Sequence, residues 1–139
     1  MAAPVYLADT SVYVLAGRHA AAERRIGSLI AESRLAACQM SALEYLNNAR
    51  DPKTYENMWA AMHGQRWFDV TAAAMDRALA VHREMAAASQ HRHFRLPDLI
   101  LAATAEVHGA TVLHYDADYD RIAAITGQPM EWLFDKGSI

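Results

Sequence analysis

Four acidic residues stand where short apolar segments end or helix-forming segments begin. They are Asp9, Glu44, Asp98 and Asp116, and a further acid, Asp118, follows two positions after the last. Because helices that start at one edge of a parallel sheet bring such residues to the same cleft, we expect these carboxylates to lie together. Crowded carboxylates repel one another without a counter-ion. Hard oxygen donors suit Mg²⁺ or Mn²⁺, and one or two such ions activate water for phosphodiester hydrolysis.

Each of these acids also has a structural explanation that needs no metal. Asp9 suits the cap of a helix that begins directly after it, and Ser41 with Glu44 has the spacing of a capping box. A proline precedes Asp98, which suits an acid near the positive end of a helix dipole. The last two acids suit a turn and an N-cap. Only the shared placement of the acids favours the metal site, and a carboxylate can serve both purposes.

The composition restricts the class of protein. With 139 residues and 53% hydrophobic content, the chain matches one ordinary domain, which we assign to residues 1–139. A charged fraction of 21% argues against intrinsic disorder. The net charge of −3 argues against a protein held to nucleic acid mainly by a basic surface, although a bound cation reverses the sign of an acidic cleft.

Cysteine content and hydropathy give further expectations. A single cysteine, Cys38, leaves no internal disulfide or thiolate zinc site, and its apolar neighbours predict a buried side chain. No apolar run approaches the roughly 18 residues of a membrane span. The first residues lack the basic leader of a secretory signal. We therefore expect a soluble, cytoplasmic protein that does not associate with membranes.

Short apolar runs alternate with stretches rich in good helix formers. Five runs are predicted as strands: Val5–Ala8, Leu35–Gln39, Trp67–Val70, Thr111–Tyr115 and Met130–Leu133. Three helices are predicted: Ala20–Ser33, Ala72–Ala88 and Asp98–His108. This alternation predicts an α/β fold, a three-layer α/β/α sandwich around a parallel sheet of four or five strands. In the second helix, the spacing of Met75, Leu79, His82 and Met85 predicts the packed face.

Four segments resemble the PIN-domain family, specifically the VapC-type toxins of bacterial toxin–antitoxin pairs. In order along the chain, they are residues 5–11 (VYLADTS), 41–44 (SALE), 98–105 (DLILAATA) and 113–122 (LHYDADYDRI). Order and spacing also match, so the resemblance covers essentially the whole chain. The third and fourth segments are the most specific. One conservative departure is Tyr119, where the family commonly has Phe.

The resemblance implies a function and a set of site residues. Asp9, Glu44, Asp98 and Asp116 would be catalytic residues that hold Mg²⁺ or Mn²⁺. Asp118 would be a further catalytic acid, as a ligand or an outer partner. Thr10 or Ser11 would supply a supporting hydroxyl. The implied activity is endonucleolytic cleavage of RNA. The implied partners are a second copy of the chain, in a homodimer, and a cognate VapB-type antitoxin that inserts a segment into the active-site groove.

The densest basic and aromatic stretch, residues 90–95, lies just before the third acid. Arg92 and Arg95 suit contacts with RNA phosphates, and His93 or Phe94 suits a position near a base. The other interpretation is an exposed polar loop between helices. If the arginines bind RNA, their joint replacement by Ala weakens RNA binding and leaves metal affinity intact.

Two other functions compete with the nuclease. One is a catalytically inactive PIN-like module that binds RNA or protein, which the loss of an acid from the quartet would favour, yet all four are present. The other is a phosphoaspartyl domain. A dehalogenase-like phosphatase needs a second Asp two residues after the first, where this chain has Ser11, and a receiver needs a late Lys, whereas Lys136 falls in the tail.

Overall fold

The strands of the sheet are short, and the central ones are mostly apolar and buried. The computed structural model describes residues 3–139. Its strands are β1 (Tyr6–Ala8), β2 (Leu35–Ala37), β3 (Arg66–Trp67), β4 (Thr111–His114) and β5 (Met130–Trp132). All strand pairs are parallel, in the order β3-β2-β1-β4-β5. The predicted α/β fold with a parallel sheet is therefore confirmed, and each predicted strand is found within a few residues of its expected bounds.

Helices connect each strand to the next. They are α1 (Thr10–Ala16), α2 (Ala20–Ala31), α3 (Gln39–Leu46), α4 (Pro52–His63), α5 (Ala72–Ala87), α6 (Leu96–Val107) and α7 (Asp118–Thr126), with a short 3₁₀-helix at His91–His93. The three predicted helices correspond to α2, α5 and α6. Across the described residues, no helix is both long and apolar enough to cross a membrane.

Side chains alternate between the two faces of the sheet, and each face is covered. Leu7 and Val112 belong to a core cluster with residues of α5, α6 and α7. Tyr6 and Leu113 belong to a second cluster, with residues of α1 and α2. This alternation is the period of two expected for strands, and helices on both faces give the predicted three layers. Cys38 is fully buried in the first cluster, as predicted.

The connections determine where a ligand can bind. The chain runs outward from β1 through β2 to β3, and then returns to the other side of β1 to form β4 and β5. Helices leaving β1 and β4 thus diverge, and a crevice opens beyond the carboxyl ends of these strands. In register, Leu7 pairs with Val112 and Ala8 with Leu113, so the two strands end side by side.

The predicted packed face of α5 is correct only for Met85, which is fully buried. Met75 and Leu79 are exposed by 42% and 66%, and His82 is only half-buried. The buried residues of this helix are Ala74, Ala78, Val81 and Met85. Small alanines let α5 lie close against the neighbouring α6, which is itself buried along most of its length. The prediction rested on the large apolar residues of the helix, whereas the close contact between the two helices is made by small ones.

Candidate active site

Asp9 lies directly beyond β1 and caps α1. One of its oxygens, Oδ2, accepts a hydrogen bond of 3.1 Å from the Ser11 N–H, and its own N–H donates to the Leu113 carbonyl at 2.9 Å. The expected capping role is thus present. The side chain is only 6% exposed and faces the crevice. Capping therefore fixes one side of the carboxylate while leaving it on the wall of the cleft.

Asp98 lies in the first turn of α6, after the proline that starts the helix. It is 3% exposed. Its Oδ1 lies 3.3 Å from the Tyr119 hydroxyl, and its Oδ2 has no hydrogen-bond partner among residues 3–139. A buried carboxylate oxygen without a donor is costly, so this atom is suited to bind a positively charged ligand.

Tyr119 was not singled out as a site residue by the sequence, where an aromatic at a helical position usually indicates core packing. Its ring is fully buried at the start of α7. Its hydroxyl lies between the two inner acids, 2.7 Å from Asp9 Oδ1 and 3.3 Å from Asp98 Oδ1. The two acids are 110 and 21 positions away in the chain, so no local pattern predicts the contact.

Glu44 reaches the crevice from α3, and the predicted capping box with Ser41 is wrong. The helix begins at Gln39, and Ser41 sits in its first turn, accepting from the Cys38 N–H at 3.0 Å. Glu44 therefore lies within the helix and does not cap it. One carboxylate oxygen accepts from the Thr10 hydroxyl at 3.4 Å, which is the supporting hydroxyl expected from the resemblance.

Asp116 follows β4 and makes the turn into α7. Its Oδ1 accepts from the Asp118 N–H at 2.9 Å, the Asx-turn geometry expected of a residue before a helix. Asp118 begins α7 and forms an ion pair of 3.6 Å with Arg121. The predicted turn at Asp116 is present, whereas the predicted N-cap at Asp118 is wrong, because Ala117 precedes the helix and Asp118 is already its first residue. Asp116 remains on the wall of the cleft.

Four of the five predicted acids, all except Asp118, line one cleft of about 390 Å³. One carboxylate oxygen each from Asp9, Glu44 and Asp98 lies within 4.8 Å of the others, and so do oxygens from Asp98, Asp116 and Asp118. Both groups have a spacing that can hold a metal ion, and Asp98 belongs to both. The donor set consists of carboxylates only, which fits a hard divalent cation.

The electrostatics of the cleft centre on Asp98. Burial and the nearby Asp9 charge raise the pKa of Asp98 to about 7, although Arg95 opposes this shift. The acids in turn raise the pKa of Arg95, with Asp98 as the main cause. Burial and the charge of Asp9 raise the pKa of the Tyr119 hydroxyl well above its ordinary value, so it stays protonated and can donate. Excess negative charge in the cleft is what a divalent ion would relieve.

His114 ends β4 beneath the site, and the predicted buried, hydrogen-bonded ring is confirmed. It is fully buried, and its Nδ1 accepts from the Asp116 N–H at 3.2 Å. Burial lowers the pKa of the imidazole, which favours the neutral ring, and Nε2 has no hydrogen-bond partner among the described residues. Its centroid lies 4.9 Å from that of Tyr119. The histidine therefore supports the site by packing.

The basic segment before α6 only partly matches its prediction. Arg95 lines the cleft and donates to Glu44 Oε2 at 2.9 Å, whereas Arg92 is exposed on the 3₁₀-helix. Phe94 is 6% exposed, and the Arg121 guanidinium lies 4.6 Å from the centre of its ring. The prediction that Phe94 lies near an RNA base is therefore wrong. His93, the other residue considered for that place, is exposed.

Comparisons with known proteins agree with this geometry. The family model described as PIN domain matches residues 6–125. Ribonuclease VapC51 of Mycobacterium tuberculosis (strain ATCC 25618 / H37Rv) is 40% identical over 134 residues, which covers 96% of each chain. Ribonuclease VapC18 of the same strain is 38% identical over 137 residues, covering 97% of this chain and 99% of the relative.

Solved structures show the same fold at low sequence identity. One is the DNA-bound VapBC structure from Salmonella typhimurium, with a TM-score of 0.74 and 16% identity, covering 95% of this chain and all of that one. Another, DNA-bound VapBC2 from Rickettsia felis, also has a TM-score of 0.74 at 13% identity and covers 92% and 98% of the two chains. The family match and the identity to the two VapC ribonucleases show that this chain belongs to the PIN-domain family. Within that family, it resembles the VapC ribonucleases.

Proposed function

We propose that this protein is a metal-dependent endoribonuclease that acts as the toxin of a toxin–antitoxin pair. The observation that carries the proposal is the convergence of Asp98 with Asp9, Glu44 and Asp116, together with the buried Oδ2 of Asp98, which has no hydrogen-bond partner among the described residues. The ribonuclease names of relatives that are about 40% identical along the whole chain support the choice of RNA as substrate.

Asp9, Glu44, Asp98 and Asp116 are the proposed metal ligands, for Mg²⁺ or Mn²⁺. Their carboxylates match the hard oxygen donors that these ions prefer, and the only cysteine of the chain is buried in the core. A bound ion of this kind supplies a water activated for attack on phosphorus and neutralises charge on the phosphodiester. Asp118 is the proposed outer partner, since its N–H already fixes the Asp116 carboxylate.

The chain's own residues orient the proposed ligands. The Ser11 N–H and the Tyr119 hydroxyl hold the Asp9 carboxylate, and the Thr10 hydroxyl restrains Glu44. Because these donors come from the starts of α1 and α7, the positions of the carboxylates follow from the ends of β1 and β4. Such pre-organisation lowers the cost of bringing an ion and a phosphate together.

Arg95 and Arg92 are the proposed contacts for RNA phosphates. Arg95 is 67% exposed at its side chain and borders the acids, so a phosphate entering the cleft would compete with Glu44 for the guanidinium. Since Arg95 also touches a proposed ligand, its replacement would disturb metal affinity as well. Arg92→Ala is therefore the cleaner test of RNA binding, with weaker RNA affinity at unchanged metal affinity as the expected result.

We further propose a cognate VapB-type antitoxin and a homodimer as the partners. The named structural neighbours with this fold include VapBC complexes, which supports an antitoxin as the inhibitor. Expression of the protein would then arrest growth, and coexpression of the antitoxin would relieve the arrest. Sedimentation of the purified toxin tests the dimer directly.

The experiment that tests the function is the sequencing of RNA 5′ ends after brief induction in cells. Wild type is compared with Asp98→Asn, a change that removes the charge of one carboxylate. We expect new 5′ ends at defined sites with wild type alone, which would also identify the RNA target. Identical 5′ ends in both strains would contradict the proposal. RNA that is bound but not cut would favour a binding module.

A further inference from the structure

The Tyr119 hydroxyl is the one side-chain donor that touches both inner acids of the site in the described chain. It lies 2.7 Å from Asp9 Oδ1 and 3.3 Å from Asp98 Oδ1. A hydroxyl has one proton, which these two oxygens share unequally in favour of Asp9. The two carboxylates are thereby joined through a single atom.

This contact selects which carboxylate oxygens remain for another ligand. With Oδ1 of Asp98 against Tyr119, its Oδ2 is left without a partner among the described residues. In Asp9, Oδ2 is held by the Ser11 N–H and Oδ1 by Tyr119. Each oxygen has two lone pairs, so these donors leave one for a cation while preventing rotation of the group.

The hydroxyl is itself held rigidly. The Tyr119 ring is fully buried in the main apolar cluster and packs 4.9 Å from the His114 ring, measured between centroids. The start of α7 is fixed by the hydrogen bond from the Asp118 N–H to Asp116. A phenylalanine at position 119 would retain all the ring contacts and lose only the hydroxyl.

We propose that Tyr119 is a positioning residue that holds Asp9 and Asp98 as single-oxygen ligands and so favours Mg²⁺ over the larger Ca²⁺. This inference rests on the proposed metal-dependent function and names a residue that determines its ion preference. Mg²⁺ requires near-ideal octahedral geometry, whereas Ca²⁺ accepts irregular sites and ligands that bind through both oxygens. Without the Tyr119 hydroxyl, Asp98 would lose its hydrogen bond and could rotate to offer both oxygens, and Asp9 would keep only the Ser11 N–H, which suits Ca²⁺ better.

The test is calorimetric titration of metal-free protein with MgCl₂ and, separately, with CaCl₂. Tyr119→Phe is compared with wild type and with Tyr13→Phe, which loses a tyrosine hydroxyl bonded to Gln65 at 2.9 Å, away from the acids. Loss of an outer hydrogen-bond partner typically lowers metal affinity by about 10-fold or more. We expect Tyr119→Phe to lose about 10-fold in Mg²⁺ affinity while Ca²⁺ affinity changes by less than ~3-fold. Tyr13→Phe should match wild type for both ions.

The outcomes separate this inference from the function on which it rests. If wild type binds Mg²⁺ and Tyr119→Phe keeps the same Mg²⁺ and Ca²⁺ affinities, the positioning role is overturned and the metal site stands. An equal loss of both affinities also overturns it, because a general structural effect would act on both ions alike. Failure of wild type to bind either ion overturns the metal-dependent function itself.

Discussion

The acids on the inner wall of the cleft, Asp9 and Asp98, have different surroundings from those on its rim, Glu44 and Asp118. On the rim, Glu44 pairs with Arg95 at 2.9 Å and Asp118 with Arg121 at 3.6 Å. On the inner wall, Asp9 and Asp98 are at most 6% exposed, and no basic side chain of the described chain forms an ion pair with either. Their donors are neutral groups, the Tyr119 hydroxyl and a backbone N–H.

This difference indicates which acids a bound cation would stabilise most. Buried charges are unfavourable unless they are paired or coordinate a metal. The rim acids are neutralised by the chain itself, whereas on the inner wall burial and, after it, the Asp9 charge raise the pKa of Asp98 to about 7. A divalent ion on the inner wall would remove that penalty. Substitutions on the two sides of the cleft should therefore differ in size.

The largest effect is expected on the inner wall. Asp98→Asn and Asp9→Asn each remove a charge that forms no ion pair with a basic side chain of the described residues, so each change would directly weaken binding of the ion. A bound metal stabilises the transition state by several kcal/mol, so we expect RNA cleavage to fall by about 10³-fold or more. Single-turnover cleavage of the target RNA measures this. Activity within tenfold of wild type in either variant would remove these residues from the site.

A smaller effect is expected from Glu44 on the rim. Glu44→Gln keeps the side-chain shape and the Thr10 contact, but leaves Arg95 without its carboxylate partner. The Arg95 guanidinium, no longer paired, would offset part of the negative charge of the remaining acids. We therefore expect RNA cleavage to fall by about 10²-fold, which is less than for the inner-wall variants. The same single-turnover assay compares the variants. A loss equal to that of Asp98→Asn would erase the distinction between wall and rim.

The pH dependence of stability gives a third comparison, in the metal-free protein. Asp98 has a pKa of about 7 when folded and near 4 when unfolded. Between these values the folded state keeps a proton that the unfolded state has lost, so stability falls as pH rises. We expect the Tm of wild type to fall by several degrees more than that of Asp98→Asn between pH 4 and 7. Differential scanning calorimetry measures both.

The control for this experiment is Asp76→Asn, which removes an exposed acid on α5. It should follow the wild-type profile. Saturating Mg²⁺ should raise the wild-type Tm most above pH 7, where Asp98 is ionised before the ion binds. Parallel profiles for wild type and Asp98→Asn would show that Asp98 does not titrate as its burial implies.

The smallest effect is expected from Asp118. Its side chain is paired with Arg121, while its contribution to Asp116 comes from the backbone N–H. Asp118→Asn retains that N–H, and an exposed ion pair contributes about 0–1 kcal/mol. We expect cleavage to fall by no more than about 5-fold. A loss near that of Asp98→Asn would make Asp118 a direct ligand rather than an outer partner.

Much of the fold and the placement of the acids follow from the sequence. Apolar runs identify the strands because the three central strands, β1, β2 and β4, are buried on both faces. Acids at strand ends converge because parallel strands end at one edge. The capping box at Ser41 failed because α3 begins earlier, at Gln39. The packed face of α5 failed because alanines, and not Met75 or Leu79, form the close contact with α6.

The support around the acids could not be predicted in the same way. The hydrogen bond from Tyr119 to Asp9 joins residues far apart in the chain, and a buried aromatic ring by itself indicates only core packing. The pairing of Arg95 with Glu44 spans 51 positions and competes with the RNA role suggested by the basic segment. Local patterns identify charged groups, whereas partners depend on how helices from different strands meet.

The most direct measurement is cleavage of RNA by purified protein after chelation and metal add-back. We predict that EDTA abolishes cleavage, that Mg²⁺ or Mn²⁺ restores it, and that Asp98→Asn stays inactive under all conditions while binding RNA. Cleavage by wild type that persists in EDTA and in Asp98→Asn would contradict the account.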